Sequence, residues 1–185
     1  MAKNAIIIHG TKDSPELYWF PWLKQNLEEK GYKVWSPDMP AKDKPNRKDW
    51  VPFILENWEI NSETVLVGHS AGAQIIPSIL EKVNVKIKQA IMVSGYAKAL
   101  RKDRDSENSV DDFNWDAIKE KAEELIYINS DNDPWTCDDK QGKIMEDHLG
   151  GRLIVMHGEG HMGSAYFNQP YKEFPLILSL ILDKK

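Results

Sequence analysis

Thr64-Val65-Leu66-Val67-Gly68-His69-Ser70-Ala71-Gly72 is an apolar, β-branched run that ends in Gly-x-Ser-x-Gly. Ala73 to Glu81 follows at once in helix-compatible residues. A serine held on so tight a strand-to-helix turn needs neighbours with almost no side chain, and Gly68 and Gly72 supply that. Its hydroxyl then projects above the sheet edge, beside the N–H groups that open the helix. Those donors and the helix dipole suit a developing oxyanion.

Outward from this stretch, the chain repeats one pattern. Ala5 to Ile8 is a short continuous apolar run, as expected of a strand buried on both faces of a parallel sheet. It ends in His9-Gly10-Thr11 and a polar loop. Leu17 to Lys30 reads as a helix with Trp19, Trp22, Leu23 and Leu27 on one face and Gly31 beyond its end. Lys33 to Ser36 is a second strand, and Pro37 to Pro45 a turn-rich loop. Arg47 to Trp58 reads as a helix that Asn46 or Asp49 can cap. The third strand, Thr64 to Val67, delivers Ser70. Gln89 to Val93, Leu125 to Asn129 and Arg152 to Met156 are three more strands. Helices are expected at Trp115 to Lys121, short, and at Lys140 to Leu149 and Tyr171 to Leu182.

Six apolar strands alternating with helices predict an α/β fold: a mostly parallel open sheet with helices on both faces, in a single domain over residues 1–185. In such sheets the reactive groups lie outside the carboxyl ends of the strands. His9 and Gly10 follow the first strand, Ser70 the third, Asp133 the fifth and His161 the sixth. That convergence points to one site.

Composition narrows the chemistry. The chain has 185 residues, 41% hydrophobic and 29% charged, which suits one domain with a real core. The net charge of −5, with no lysine- or arginine-rich block, argues against nucleic acid or an anionic membrane as partner. A single cysteine, Cys137, excludes an internal disulfide and a multi-cysteine zinc site. No early apolar run is long enough for a signal peptide or a membrane span, so a cytoplasmic location is expected.

A serine hydroxyl needs a neighbouring base, and histidine suits the task because its pKa lies near 6.5. His161 is favoured, on a loop past the last strand among the small residues Gly160 and Gly163. His69 should point away from Ser70, His9 should brace its loop, and His157 and His148 lie elsewhere. Asp131 and Asp133 compete to orient the base. Pro134 forces its predecessor to be extended, which carries Asp133 outward past the strand end, and Asp131 reads as a turn former. The order Ser…Asp…His is the one expected of an α/β-hydrolase. Backbone N–H groups of Thr11 and Ala71 are the expected oxyanion donors. Cys137 has no adjacent base and reads as a packing residue. His157 and His161 are separated by glycines rather than set on a helix, so no metal is expected. No Gly-x-Gly-x-x-Gly follows the first strand, so no nucleotide cofactor is expected either.

His9-Gly10-Thr11, Trp19-Phe20-Pro21-Trp22-Leu23, Gly68 to Gly72, Ser130 to Pro134 and Gly158 to Gly163 together resemble the small serine hydrolases of the retinoblastoma-binding protein 9 type. The resemblance spans nearly the whole chain. It implies a compact α/β-hydrolase fold that lacks the first two strands of larger relatives, with Ser70, Asp133 and His161 as triad. Cys137 sits in Trp135-Thr136-Cys137-Asp138-Asp139, not in a Leu-x-Cys-x-Glu motif, so nothing supports the retinoblastoma pocket as partner. The segment from Gly95 to Trp115 is charged and too short to build a cap domain. A shallow, open site is therefore expected, with Trp19, Tyr96, Trp135 and Met162 as candidate pocket walls and a small, short-chain ester as substrate; small amides or peptides would suit the same chemistry. The competing reading is a binding module with a vestigial triad. An intact set of three favours the enzyme.

Overall fold

Continuous apolar strands have no solvated face, and they can be buried on both sides only if helices cover both. The computed structural model describes residues 1–97, 113–165 and 167–183. Its elements are β1 (Asn4–Ile8), α1 (Phe20–Glu29), β2 (Lys33–Trp35), α2 (Arg47–Asn57), β3 (Thr64–His69), α3 (Ala71–Lys82), β4 (Ile87–Val93), α4 (Trp115–Lys119), β5 (Ala122–Ser130), α5 (Asp139–Leu149), β6 (Arg152–Met156) and α6 (Pro175–Leu182). The six strands form one sheet in the order β2-β1-β3-β4-β5-β6, and every pairing is parallel. This is the α/β-hydrolase architecture.

The period of two along each strand divides the core. Ile6, Ile8, Leu66, Met92 and Tyr127 point to one face, under α2, α3 and α5. Ala5, Ile7, Val65, Val67, Ile126 and Ile128 point to the other, under α1 and α6. The chain first winds from β1 to β2, then returns to lay β3 on the other side of β1. A crevice opens at that reversal, outside the carboxyl ends of β1 and β3.

Three boundaries differ from the sequence expectation by three residues or more, each for a local reason. Tyr18 adopts φ 52°, which breaks the helical path, so α1 starts at Phe20 rather than near Leu17. Phe174, ahead of Pro175, is held outside the helical region (φ −141°, ψ 75°), and α6 begins at the proline instead of at Tyr171. β5 starts three residues early, at Ala122, because its polar end pairs with β4. There Lys88 meets Glu123 at 2.8 Å and Gln89 donates to Glu124 at 2.6 Å. The charged stretch after Ala97 lies outside the described residues, and so does most of the segment expected to be too short for a cap. No described helix is long and apolar enough to cross a membrane.

Candidate active site

The turn between β3 and α3 is built by exclusion. A Cβ on Gly72 would fall on the carbonyl oxygen of Ile8 at the end of β1, and one on Gly68 would fall on the carbonyl of Gly72. Both positions therefore demand glycine. Between them Ser70 sits at φ 53°, ψ −117°, a strained conformation for a residue with a side chain. Its N–H donates to Val93 O at 2.9 Å and its carbonyl accepts from Gln74 N at 3.0 Å, so the turn is tied to both β4 and α3. Ala71 opens α3, where a helix N–H has no intrahelical acceptor.

The end of β6 supplies the histidine. His161 Nδ1 lies 2.7 Å from Asp133 Oδ2, with the two side chains 7% and 0% exposed. This contact favours the tautomer with its proton on Nδ1 and makes Nε2 the accepting nitrogen. Burial pulls the His161 imidazole below its ordinary value, against the opposing effect of the Asp133 hydrogen bond. The ring is thus kept as a free base near neutral pH. The competing carboxylate, Asp131, faces outward, where its Oδ2 lies 2.7 Å from Nδ1 of the exposed His157 and its Oδ1 accepts from Gly158 N at 2.9 Å. It braces the base of the His161 loop rather than contacting His161.

Ser70 and His161 line one cavity of about 490 Å³ together with Thr11, Asp13, Leu17, Tyr18, Tyr96 and Trp135. Of the side chains expected to wall the site, Tyr96 and Trp135 do line this cavity. Trp19 and Met162 do not, being 0% exposed and packed in the core beneath it. The left-handed Tyr18 turns its own ring to the cavity and sends Trp19 the opposite way, where the indole donates to Met162 O at 3.0 Å. Trp19 and Met162 therefore fasten the histidine loop instead of meeting a ligand.

Tyr18, and the part that His69 plays, escaped the sequence reading. Tyr18 donates to Asp13 Oδ1 at 3.1 Å and accepts from Ala165 N at 2.9 Å, joining the loop after β1 to the far cavity wall. Burial, aided by Asp13, pushes its phenol up to about 12. His69 does point away from Ser70, as expected, but it ends beneath the other loop. Its Nε2 lies 2.8 Å from the His161 carbonyl, which also accepts from Ser94 Oγ at 3.1 Å. The only signal for either was adjacency to a motif, and no periodicity reports such contacts.

A model of the serine hydrolase family matches residues 5–181. The chain belongs to the serine hydrolase family. YdeN of Bacillus subtilis is 36% identical over 103 residues, 54% of either chain, so that alignment spans about half the length of the relative. The serine hydrolase RBBP9 of Rattus norvegicus is 25% identical over 171 residues, 90% of each chain. Among solved structures, the ydeN gene product of B. subtilis has a TM-score of 0.85 at 26% identity, covering 98% of this chain and 100% of that one. Est1E of Butyrivibrio proteoclasticus, with ferulic acid bound, has a TM-score of 0.70 at 16% identity, covering 97% of this chain and 86% of that one. That last likeness is one of fold. Family membership makes the chain a hydrolase.

Proposed function

We propose that Ser70, His161 and Asp133 form a triad that hydrolyses small, short-chain carboxylic esters through an acyl-enzyme. The observation that carries this reading is the placement of His161 between the buried Asp133 carboxylate at 2.7 Å and the cavity that Ser70 also lines. Ser70 Oγ attacks the ester carbonyl while His161 Nε2 takes its proton. The oxyanion accepts hydrogen bonds from Ala71 N–H and Thr11 N–H, whose positions after β3 and β1 flank the serine. The C–O bond to the alcohol breaks as His161 returns the proton to the leaving oxygen. A water then attacks the acyl group, again deprotonated by His161, and Ser70 is regenerated. Asp133 keeps Nδ1 protonated throughout and stabilises the transient imidazolium.

The cavity favours a small substrate. Leu17, Tyr18, Tyr96 and Trp135 offer apolar wall, while Lys12 and Asp13 make part of the lining polar. A volume of about 490 Å³ lies in the lower half of the usual range for ligand sites.

Labelling by a fluorophosphonate tests the assignment. Mass mapping should find the adduct on Ser70, and Ser70→Ala should abolish both labelling and hydrolysis of p-nitrophenyl acetate while the fold persists. An adduct on Cys137, or undiminished hydrolysis by the variant, refutes the reading.

A further inference from the structure

The proposed reaction uses Asp133 and His161 but leaves a third group beside them without a role. The thiol of Cys137, a carboxylate oxygen of Asp133 and an imidazole nitrogen of His161 all lie within 4.8 Å of one another, and all three residues are buried. The sequence hides this group, since His161 comes 24 residues after Cys137. Cys137 and His161 also line the cavity, so an ion entering with solvent can reach them. We propose that Asp133, Cys137 and His161 form a binding site for Zn²⁺, and that its occupancy switches the hydrolase off.

The donor set suits zinc. One thiolate, one imidazole and one carboxylate, with a water in the fourth position, is a familiar tetrahedral combination for a borderline-soft ion. Zinc bonds of about 2.0–2.3 Å in a tetrahedron place neighbouring donors about 3.4–3.6 Å apart. The Asp133–His161 contact would open from 2.7 Å to reach that spacing, and separations of up to 4.8 Å would close by about an ångström. The carboxylates of Asp133 and Asp138 place negative charge beside Cys137. The same negative field attracts a dication, which neutralises the thiolate it creates.

Binding exchanges zinc-bound waters for the three side chains and releases the thiol proton to solvent. If Nδ1 coordinates, its proton moves to Nε2, which can then no longer accept from Ser70. If Nε2 coordinates, its lone pair is spent on the metal. Either way the base is lost. This loss of activity rests on the triad reading, whereas metal binding does not.

The test separates the two. Cd²⁺ is titrated into chelator-stripped wild-type protein while the ultraviolet thiolate-to-metal absorption is followed, and Zn²⁺ is titrated into a p-nitrophenyl acetate assay. The expected result is a band that saturates at a single equivalent, hydrolysis that falls as zinc is added, and recovery with EDTA. Cys137→Ser should lack the band and need at least about tenfold more zinc for half-inhibition, each rate being scaled to that variant's own metal-free value. Wild-type protein with no band in excess cadmium overturns the site, and this readout needs no variant. Equal zinc sensitivity in Cys137→Ser overturns it too. A band with no loss of hydrolysis would uphold binding and count against His161 as the base.

Discussion

His69 Nε2 and the main-chain carbonyl of His161 are 2.8 Å apart, so the side chain just before Ser70 holds the backbone of the residue proposed to take its proton. A carbonyl only accepts, so Nε2 carries the hydrogen. His69 is completely buried, and its ring meets the His161 ring edge-on with centroids 4.9 Å apart. The nucleophile and its base are thereby referenced to one another through a second histidine.

His69→Phe keeps the aromatic volume and removes the donor, leaving Ser94 Oγ alone on that carbonyl. An unmade buried hydrogen bond costs about 1–3 kcal/mol. We expect kcat to fall by about tenfold or more with KM nearly unchanged, because the loss is in the placement of His161. His69→Gln, which retains an N–H donor, should recover part of it. Steady-state kinetics on p-nitrophenyl acetate decide this. An unchanged kcat in His69→Phe refutes the role.

Asp131 and Asp133 make a matched pair of tests, since each lies 2.7 Å from the Nδ1 of its own histidine. Asp133→Asn should lower kcat by about 10⁴, as expected when an imidazole loses the carboxylate that sets its tautomer. Asp131→Asn disturbs only an exposed brace, and exposed pairs contribute about 0–1 kcal/mol. Its effect on kcat should stay below about tenfold. The reverse order of effects would transfer the acid role to Asp131.

What could be read from the sequence was whatever one strand or one turn determines by itself. The apolar runs at Ala5 to Ile8 and Thr64 to Val67 specify strands with no wet face. The two glycines around Ser70 specify an elbow because no side chain fits there. Pro134 distinguishes the two aspartates through local backbone sterics alone. The early start of β5 was illegible because Glu123 and Glu124 look like loop until Lys88, Gln89 and Arg152 are set beside them. Trp19 looked like a pocket wall because its aromatic neighbourhood is visible in sequence, whereas the left-handed turn at Tyr18 that sends it inward is not. Cys137 reads as a packing residue in the sequence, and its closeness to Asp133 and His161 exists only in the folded chain.

His9 predicts a pH dependence of stability distinct from that of activity. Its Nδ1 donates to Gly10 O at 2.8 Å and its Nε2 accepts from Met39 N–H at 2.9 Å, so the neutral ring is fully used. Burial lowers its pKa from 6.5, opposed by the Gly10 carbonyl and by Asp13 and Asp38, and aided by Lys42. The unfolded chain therefore takes up this proton first. Below about pH 6.5 the unfolded state binds more protons, so stability is full above that pH and declines as pH falls towards the folded pKa. Denaturant unfolding at a series of pH values from about 7.5 to 5 should show this decline. His9→Gln, which cannot titrate, should make it shallower, with the remaining slope including that of His161, whose pKa is lowered in the same direction. A slope unchanged by the substitution would place the linkage elsewhere.

Acyl-chain length tests the substrate reading. A further methylene raises kcat/KM only if it leaves water in the transition state, where its burial contributes about 0.8 kcal/mol, or about fourfold. Leu17, Tyr18, Tyr96 and Trp135 can provide that contact near Ser70, but Lys12 and Asp13 also face the cavity and give an alkyl chain nothing apolar to cover. The room is finite as well, at about 490 Å³ for acyl group, leaving group and attacking water together. We therefore expect kcat/KM for p-nitrophenyl esters to rise over the shortest chains and then to level or fall beyond about four to six carbons. No rate jump should accompany passage through the solubility limit of the substrate, because Trp135 is only partly exposed and the cavity lining is mixed in polarity rather than a continuous apolar face for a lipid surface. A steady rise of kcat/KM out to long acyl chains would mean a buried acyl tunnel and would refute the short-chain assignment, while leaving the role of Ser70 to its own labelling test.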